Sequence, residues 1–251
     1  MSKIISVWGC SSSGKTTLSA QLAYKIAKEE ALNVILVSPD IVSPTIPVLF
    51  PLLKKKEFAD KSLGKILQSP EISQDIILQN LVVPEQKLPL TVCGYTLGEN
   101  SNTYAQISLD KANDFVMQLA QMCDIVICDL TSEVANNLIT TACLLQSDEV
   151  IKLYTAEPKS EVFFTSVKGL LQNERFGYDS YIKVLRENIR SKKQAENEIS
   201  NVAGGFRYTI PYSVNTAIAL DSGQMFDDIS DKKFNKVCDK MIKEVILNDG
   251  Q

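Results

Sequence analysis

Residues 9 to 16 read Gly-Cys-Ser-Ser-Ser-Gly-Lys-Thr, set between the apolar run Ile4 to Trp8 and a helical pattern that starts near Thr16. A tight turn from a buried strand into a helix aims successive backbone N–H groups at one point. Gly9 and Gly14 tolerate the dihedrals and close approach that such a turn needs. The stretch fits the pattern G-x-x-x-x-G-K-[ST], whose loop cradles an anion. Lys15 offers a point charge to terminal phosphates, the Thr16 hydroxyl offers a ligand to Mg²⁺, and the helix start turns its positive dipole end toward both. The nucleotide-binding candidates here are Gly9, Cys10, Ser11, Ser12, Ser13, Gly14, Lys15, Thr16 and Thr17.

A strand, loop and helix in that order open an α/β fold, and the rest of the chain continues the alternation. Apolar runs recur at 4–8, 34–37, 90–93, 125–128, 150–154, 181–185 and 208–210. Their near-continuous Val, Ile and Leu content is the mark of strands covered on both faces, so the expectation is a mostly parallel twisted sheet of about seven strands flanked by helices. Helical patterns fall at 16–29, 108–122, 133–146, 159–173, 190–200, 214–222 and 231–248. A less regular insertion spans 40–89, carrying Pro44, Pro47, Pro51, Pro70 and Pro84 with short helical pieces near 61–69 and 71–80. With 251 residues and 45% hydrophobic content, one domain over 1–251 is expected.

Composition narrows the chemistry. Histidine is absent, which removes imidazole bases and ligands and leaves carboxylates, lysine, hydroxyls and a metal. The six cysteines form no C-x-x-C pair and most sit in apolar patterns, as in a reducing cytosol. A net charge of −4 advertises no global affinity for nucleic acid or anionic membrane. The start Met1 to Lys3 runs straight into the first strand, and no apolar stretch approaches a membrane span, so a soluble chain is expected.

Two acids stand where a phosphate site needs them. Asp129 ends the run Ile125-Val126-Ile127-Cys128, and a carboxylate at the carboxyl end of a buried strand faces the crevice where α/β sheets hold ligands. It is the Walker B candidate and, with Thr16, the candidate metal site. Asp40 follows the second strand and is the candidate for orienting the attacking water; its plainer role is an Asx turn. Asp124, at the start of its strand, reads as a solvated residue.

Taken in order, the loop Gly9 to Thr17, Val34 to Asp40, Cys123 to Asp129, Ser147 to Val150 with Thr155 to Ser160, and Ile210-Pro211-Tyr212 resemble the ParA/MinD family of deviant Walker P-loop ATPases of the SIMIBI class. The likeness covers most of the chain and extends to the TadZ and CpaE relatives. It implies ATP and Mg²⁺ as cofactors and catalytic roles for Lys15, Asp40 and Asp129. It also implies an ATP-dependent homodimer that positions or recruits a larger assembly, in pilus, secretion, partition or division machinery. By the same resemblance Pro211 and Tyr212 line the adenine, and Arg186 occupies the base-reading position, where Asn is more usual. The family's signature lysine falls at Cys10, its Gly-Gly at Ser11-Ser12, and its Gly or Pro after the Walker B acid at Leu130. Losing that lysine implies slow hydrolysis, or binding without hydrolysis, as in TadZ-like members. A cytoplasmic place, extending to the membrane surface or cell pole, goes with it.

Other segments read more plainly. The last helix sets Phe234, Val237, Cys238, Met241, Ile242, Val245 and Ile246 at helical spacing among lysines, and packing on the sheet is favoured over a basic membrane anchor because Asp231, Asp239 and Glu244 dilute the basic face. Lys54-Lys55-Lys56 and the cluster Arg186, Arg190, Lys192 and Lys193 are candidates for DNA contact, the lesser expectation beside solvated faces. The alternatives in function are a nucleoside-type small-molecule kinase and a non-hydrolysing ATP-binding adaptor. Such kinases clamp phosphate with several lid arginines, and arginine here is limited to 175, 186, 190 and 207.

Overall fold

The computed structural model describes residues 2–50, 60–84, 87–188 and 193–248. Its strands are β1 (Lys3–Trp8), β2 (Val34–Ser38), β3 (Leu90–Gly94), β4 (Ile125–Asp129), β5 (Glu149–Thr155), β6 (Ile182–Arg186) and β7 (Tyr208–Ile210). They form one sheet in the order β3-β2-β4-β1-β5-β6-β7, every pairing between them parallel. The expected α/β fold with about seven parallel strands is therefore observed.

The alternation of side chains along β1 explains its unbroken apolar character. Ile5 and Val7 enter the core on one face of the sheet while Ile4 and Trp8 enter the core on the other. Each such fully buried aliphatic side chain is worth roughly 1.5–3 kcal/mol, so both faces must be covered by helices. These are α1 (Lys15–Glu29), α2 (Thr45–Leu49), α3 (Leu63–Gln68), α4 (Gln74–Asn80), α5 (Leu109–Met122), α6 (Leu138–Gln146), α7 (Pro158–Lys168), α8 (Lys193–Ala203), α9 (Val214–Asp221) and α10 (Lys232–Met241). The last continues as a π turn over Ile242–Ile246. Phe234, Cys238, Met241, Ile242, Val245 and Ile246 are buried in the core with α1 and β7, so the apolar stripe of this helix is spent on packing. No helix among the described residues is long and apolar enough to cross a membrane.

Several elements differ from expectation, among them the helix expected over 190–200, which is observed at Lys193–Ala203. The helix expected over 133–146 begins at Leu138, because Asn137 caps it, its side chain accepting from Thr140 N–H; the residues before it form bends and a turn beside the phosphate loop. The helix expected over 159–173 ends at Lys168 and passes into short 3₁₀ turns. Inside the insertion, α2 forms despite Pro47, which occupies the first turn, where a missing N–H breaks no intrahelical bond. Pro51, Lys54, Lys55, Lys56, Arg190, Lys192 and the Lys193 side chain lie outside the described residues.

The chain leaves β1 toward β2 and β3 at one edge, then returns through β4 and builds β5, β6 and β7 at the other. That reversal puts β1 between β4 and β5, with Val7 beside Asp129 and Trp8 beside Lys152. A ligand crevice opens at the carboxyl ends of strands at such a reversal.

Candidate functional site

The loop from Gly9 to Thr16 stands at that crevice and bends sharply. Ser13 N–H donates to Cys10 O at 3.3 Å, Ser12 holds φ at 65° and Gly14 at 92°. A β-carbon at Gly14 would meet Arg186 Nη1 at 2.7 Å, and one at Gly9 would meet the β5 carbonyl Leu153 O at 2.4 Å. Close approach of backbone thus requires glycine at position 9, while at position 14 the left-handed backbone requires it, the Arg186 side chain being able to move. Gly14 is the N-cap of α1 and no side chain caps that end; the first turn holds no acidic residue. Orphan N–H groups and the positive dipole end of α1 face the crevice as a site for an anion.

Four consecutive carbonyls of the loop each receive a side chain. Ser132 Oγ donates to Gly9 O at 2.9 Å, Lys15 Nζ to Cys10 O at 2.9 Å, Lys159 Nζ to Ser11 O at 3.3 Å and Arg186 Nη1 to Ser12 O at 3.5 Å. Lys15 Nζ also reaches Ser132 Oγ at 3.5 Å. Burial holds the Lys15 ammonium below its usual range, while Asp129 opposes that shift. Cys10 is 2% exposed and its thiol joins the core, so this position brings no charge to the loop mouth.

Across from Lys15, the Thr16 hydroxyl donates to Asp129 Oδ2 at 2.7 Å and Ser38 Oγ donates to the same oxygen at 3.3 Å. Asp129 Oδ1 is buried without a hydrogen-bond partner. Burial pushes the carboxyl up to about 6, against the pull of Thr16 and Lys15. A hydroxyl and a carboxylate with a spare buried oxygen are hard donors of the kind Mg²⁺ prefers. Among the described residues no group of three His, Cys, Asp or Glu gathers as a metal cage. An ion held through so few protein oxygens would keep waters and phosphate oxygens in its shell, as Mg²⁺ does.

Asp40 lines the same cleft, and its Oδ1 accepts from Val42 N–H at 3.0 Å and Ser43 N–H at 2.8 Å. Through that oxygen it closes an Asx turn. The cleft holds about 850 Å³ and is lined by Ser11, Ser12, Gly14, Lys15, Thr16, Thr17, Asp40, Asp129, Arg186, Pro211 and Tyr212 among others, a volume in the range of small-molecule sites. Cys10 and Ser13 are buried in the loop's inner side, and Gly9 lies under it against β5. All the sequence-expected positions thus gather at one end of the sheet.

Sequence reasoning passed over Ser132, Lys159, Ser38 and Asn137. Ser132 and Lys159 follow β4 and β5, the two neighbours of β1, so their approach to the loop depends on strand order. Ser38 hydrogen-bonds both Asp129 and Thr45, and Asn137 Nδ2 ties to Pro39 O at 2.8 Å.

No protein-family model and no curated protein matches the chain. Solved structures do match, in fold. A ParA family ATPase from Chlorobium tepidum is 15% identical with a TM-score of 0.76, covering 96% of this chain and 97% of its own. The septum site-determining protein MinD of Pyrococcus horikoshii, complexed with Mg-ADP, is 15% identical at a TM-score of 0.73, with 97% of each chain covered. The MinC:MinD cell division complex of Aquifex aeolicus gives 15% identity and a TM-score of 0.72, covering 100% of this chain and 98% of its own. The chain has the ParA/MinD P-loop ATPase fold over nearly its whole length.

Proposed function

We propose that this chain binds Mg-ATP in the cleft at the carboxyl end of β1 and serves as a slow, ATP-dependent dimeric switch that positions or recruits a larger assembly. The observation that carries the reading is the convergence of Lys15, Thr16 and Asp129 on one glycine-bounded loop that lines the cleft at the uncapped start of α1. The loop N–H groups and Lys15 take the phosphates, and Thr16 with Asp129 hold Mg²⁺. A bound Mg²⁺ supplies neutralisation of charge on the phosphate oxygens. Asp40 orients the attacking water, and Arg186, Pro211 and Tyr212 border the base. The fold shared with MinD, with the MinC:MinD complex and with plasmid partition proteins supports a switch that works through a dimer and a protein partner in division or partition machinery; pilus and secretion machines are further assemblies the proposal admits on the sequence resemblance alone. Such a protein resides in the cytoplasm or peripherally at the membrane or pole.

The buried thiol of Cys10, standing where a lysine serves TadZ-unlike relatives, favours a second reading in which ATP is held and not turned over. Phosphate release under single-turnover conditions separates the two. The kinase reading has less support, since Arg186 alone of the described arginines lines the cleft.

Calorimetry with Mg-ATP on the wild type and on Lys15→Ala tests the site. Binding by the wild type and its loss in a still-folded variant are expected, and equal binding by both sinks the assignment. Light scattering with and without Mg-ATP tests the switch; an unchanged mass points to a monomeric adaptor.

A further inference from the structure

Recognition of a terminal phosphoryl group depends on placed positive charge, and the loop carries only one cation of its own, Lys15. Two more reach it from other elements, and they differ in commitment. Arg186, at the end of β6, lies packed against Gly14 with Glu157 and Tyr212 nearby. Lys159, in the first turn of α7, is exposed; it donates one hydrogen bond to a neutral carbonyl, Ser11 O, and no carboxylate pairs with it among the described residues.

Lys15 and Lys159 bond consecutive carbonyls, Cys10 O and Ser11 O, so the two ammoniums sit on adjacent peptide units, Lys15 within the cleft lining and Lys159 approaching the same loop from α7 just outside it. Burial lowers the proton affinity of Lys15, and the Lys159 charge adds to that effect. An oxyanion placed against Lys15 is therefore within reach of a flexible second ammonium, and a bond to a charged oxygen is about twice as strong as one to a neutral carbonyl.

We infer that Lys159 is a second phosphate ligand, delivered from α7 instead of the loop: on triphosphate binding its Nζ leaves Ser11 O for the terminal phosphoryl group. This rests on the nucleotide reading above. It makes Lys159 a determinant of triphosphate over diphosphate, and it gives each subunit from its own chain a charge that Cys10 does not supply.

Fluorescence titration of Mg-ATP and Mg-ADP against wild type, Lys159→Ala and Lys159→Arg tests this. The Ala variant should lose about tenfold in ATP affinity, the worth of one charge-assisted bond, with ADP affinity unchanged and with Arg restoring most of the loss. Equal losses for both nucleotides would mean that Lys159 only shapes the loop, and no loss for either would mean that it stays on Ser11; each result overturns the inference while leaving the nucleotide site standing. A wild type that binds neither nucleotide overturns the site itself.

Discussion

Thr16 Oγ1 donates to Asp129 Oδ2 across 2.7 Å, while the other oxygen of that carboxylate is buried with no partner. Without a cation the carboxylate is held at a cost, which is why burial moves its pKa to about 6. Asp129→Asn removes the charge and keeps an acceptor for Thr16. In EDTA the variant should melt higher than wild type by about 2–4 °C, matching about 1 kcal/mol for a chain of this size. In Mg-ATP it should lose the ligand-induced gain that wild type shows. A lower melting point in EDTA would refute the desolvation account, and an intact Mg-dependent gain would refute the ligand role.

Asp40 has two separable duties. Its Oδ1 closes the turn through Val42 and Ser43 N–H, a task an asparagine oxygen performs equally well. Asp40→Asn should therefore keep ADP affinity while single-turnover hydrolysis drops at least about tenfold, since an amide is no base for water. Asp40→Ala should impair both. Wild-type hydrolysis in the Asn variant would reduce Asp40 to a turn former.

Much of this site was legible in the chain because its signals are local. The seven strands show as unbroken apolar runs since each is buried on both faces, and Gly9, Gly14, Lys15 and Thr16 sit at fixed spacing after the first of them. Asp129 was legible for the same reason, as the acid ending a run. Ser132 and Lys159 were not, because their approach to Gly9 O and Ser11 O follows from β1 lying between β4 and β5, an order no local pattern prints. The start of α6 was misjudged because Glu133 and Val134 suit a helix, whereas Asn137 is the cap and the preceding residues, with Val134 buried, run as bends and a turn. Lys152 was hidden inside an apolar strand, where sequence gives no sign of how deeply a lysine is buried.

The two loop glycines should fail differently. At Gly9 a β-carbon meets backbone, Leu153 O at 2.4 Å, so Gly9→Ala must move β5 or the loop. At Gly14 the obstacle is the far end of the Arg186 side chain, with strain from φ of 92° added. Gly9→Ala should cost about 1–3 kcal/mol and weaken nucleotide binding beyond rescue by surface changes. Gly14→Ala should be partly repaired in stability by Arg186→Ala, leaving about 1–2 kcal/mol of backbone strain. Chemical denaturation of the single and double variants measures both, and strict additivity of Gly14→Ala with Arg186→Ala would show that the collision is relieved without cost.

Lys152 makes stability depend on pH in an uncommon direction. It is 2% exposed in β5, its Nζ donating to Tyr178 O at 2.7 Å and standing 3.2 Å from the Tyr178 ring centroid. Burial, helped by Lys183, pushes its pKa down to about 7, against roughly 10.4 in an unfolded chain. Between those values the unfolded chain holds a proton that the folded chain does not, so stability contributed by this residue rises with pH, by at most about 1.4 kcal/mol per unit. Below about 7 both states are charged and the contribution is flat at its least favourable. Lys152→Met removes the titration, so the variant's stability relative to wild type should be greatest near neutral pH and shrink steadily toward pH about 10. Urea denaturation of both proteins across that window cancels every other titrating group in the difference. A difference independent of pH would mean that Lys152 keeps its proton inside the fold, with the Tyr178 ring and carbonyl compensating its burial in full.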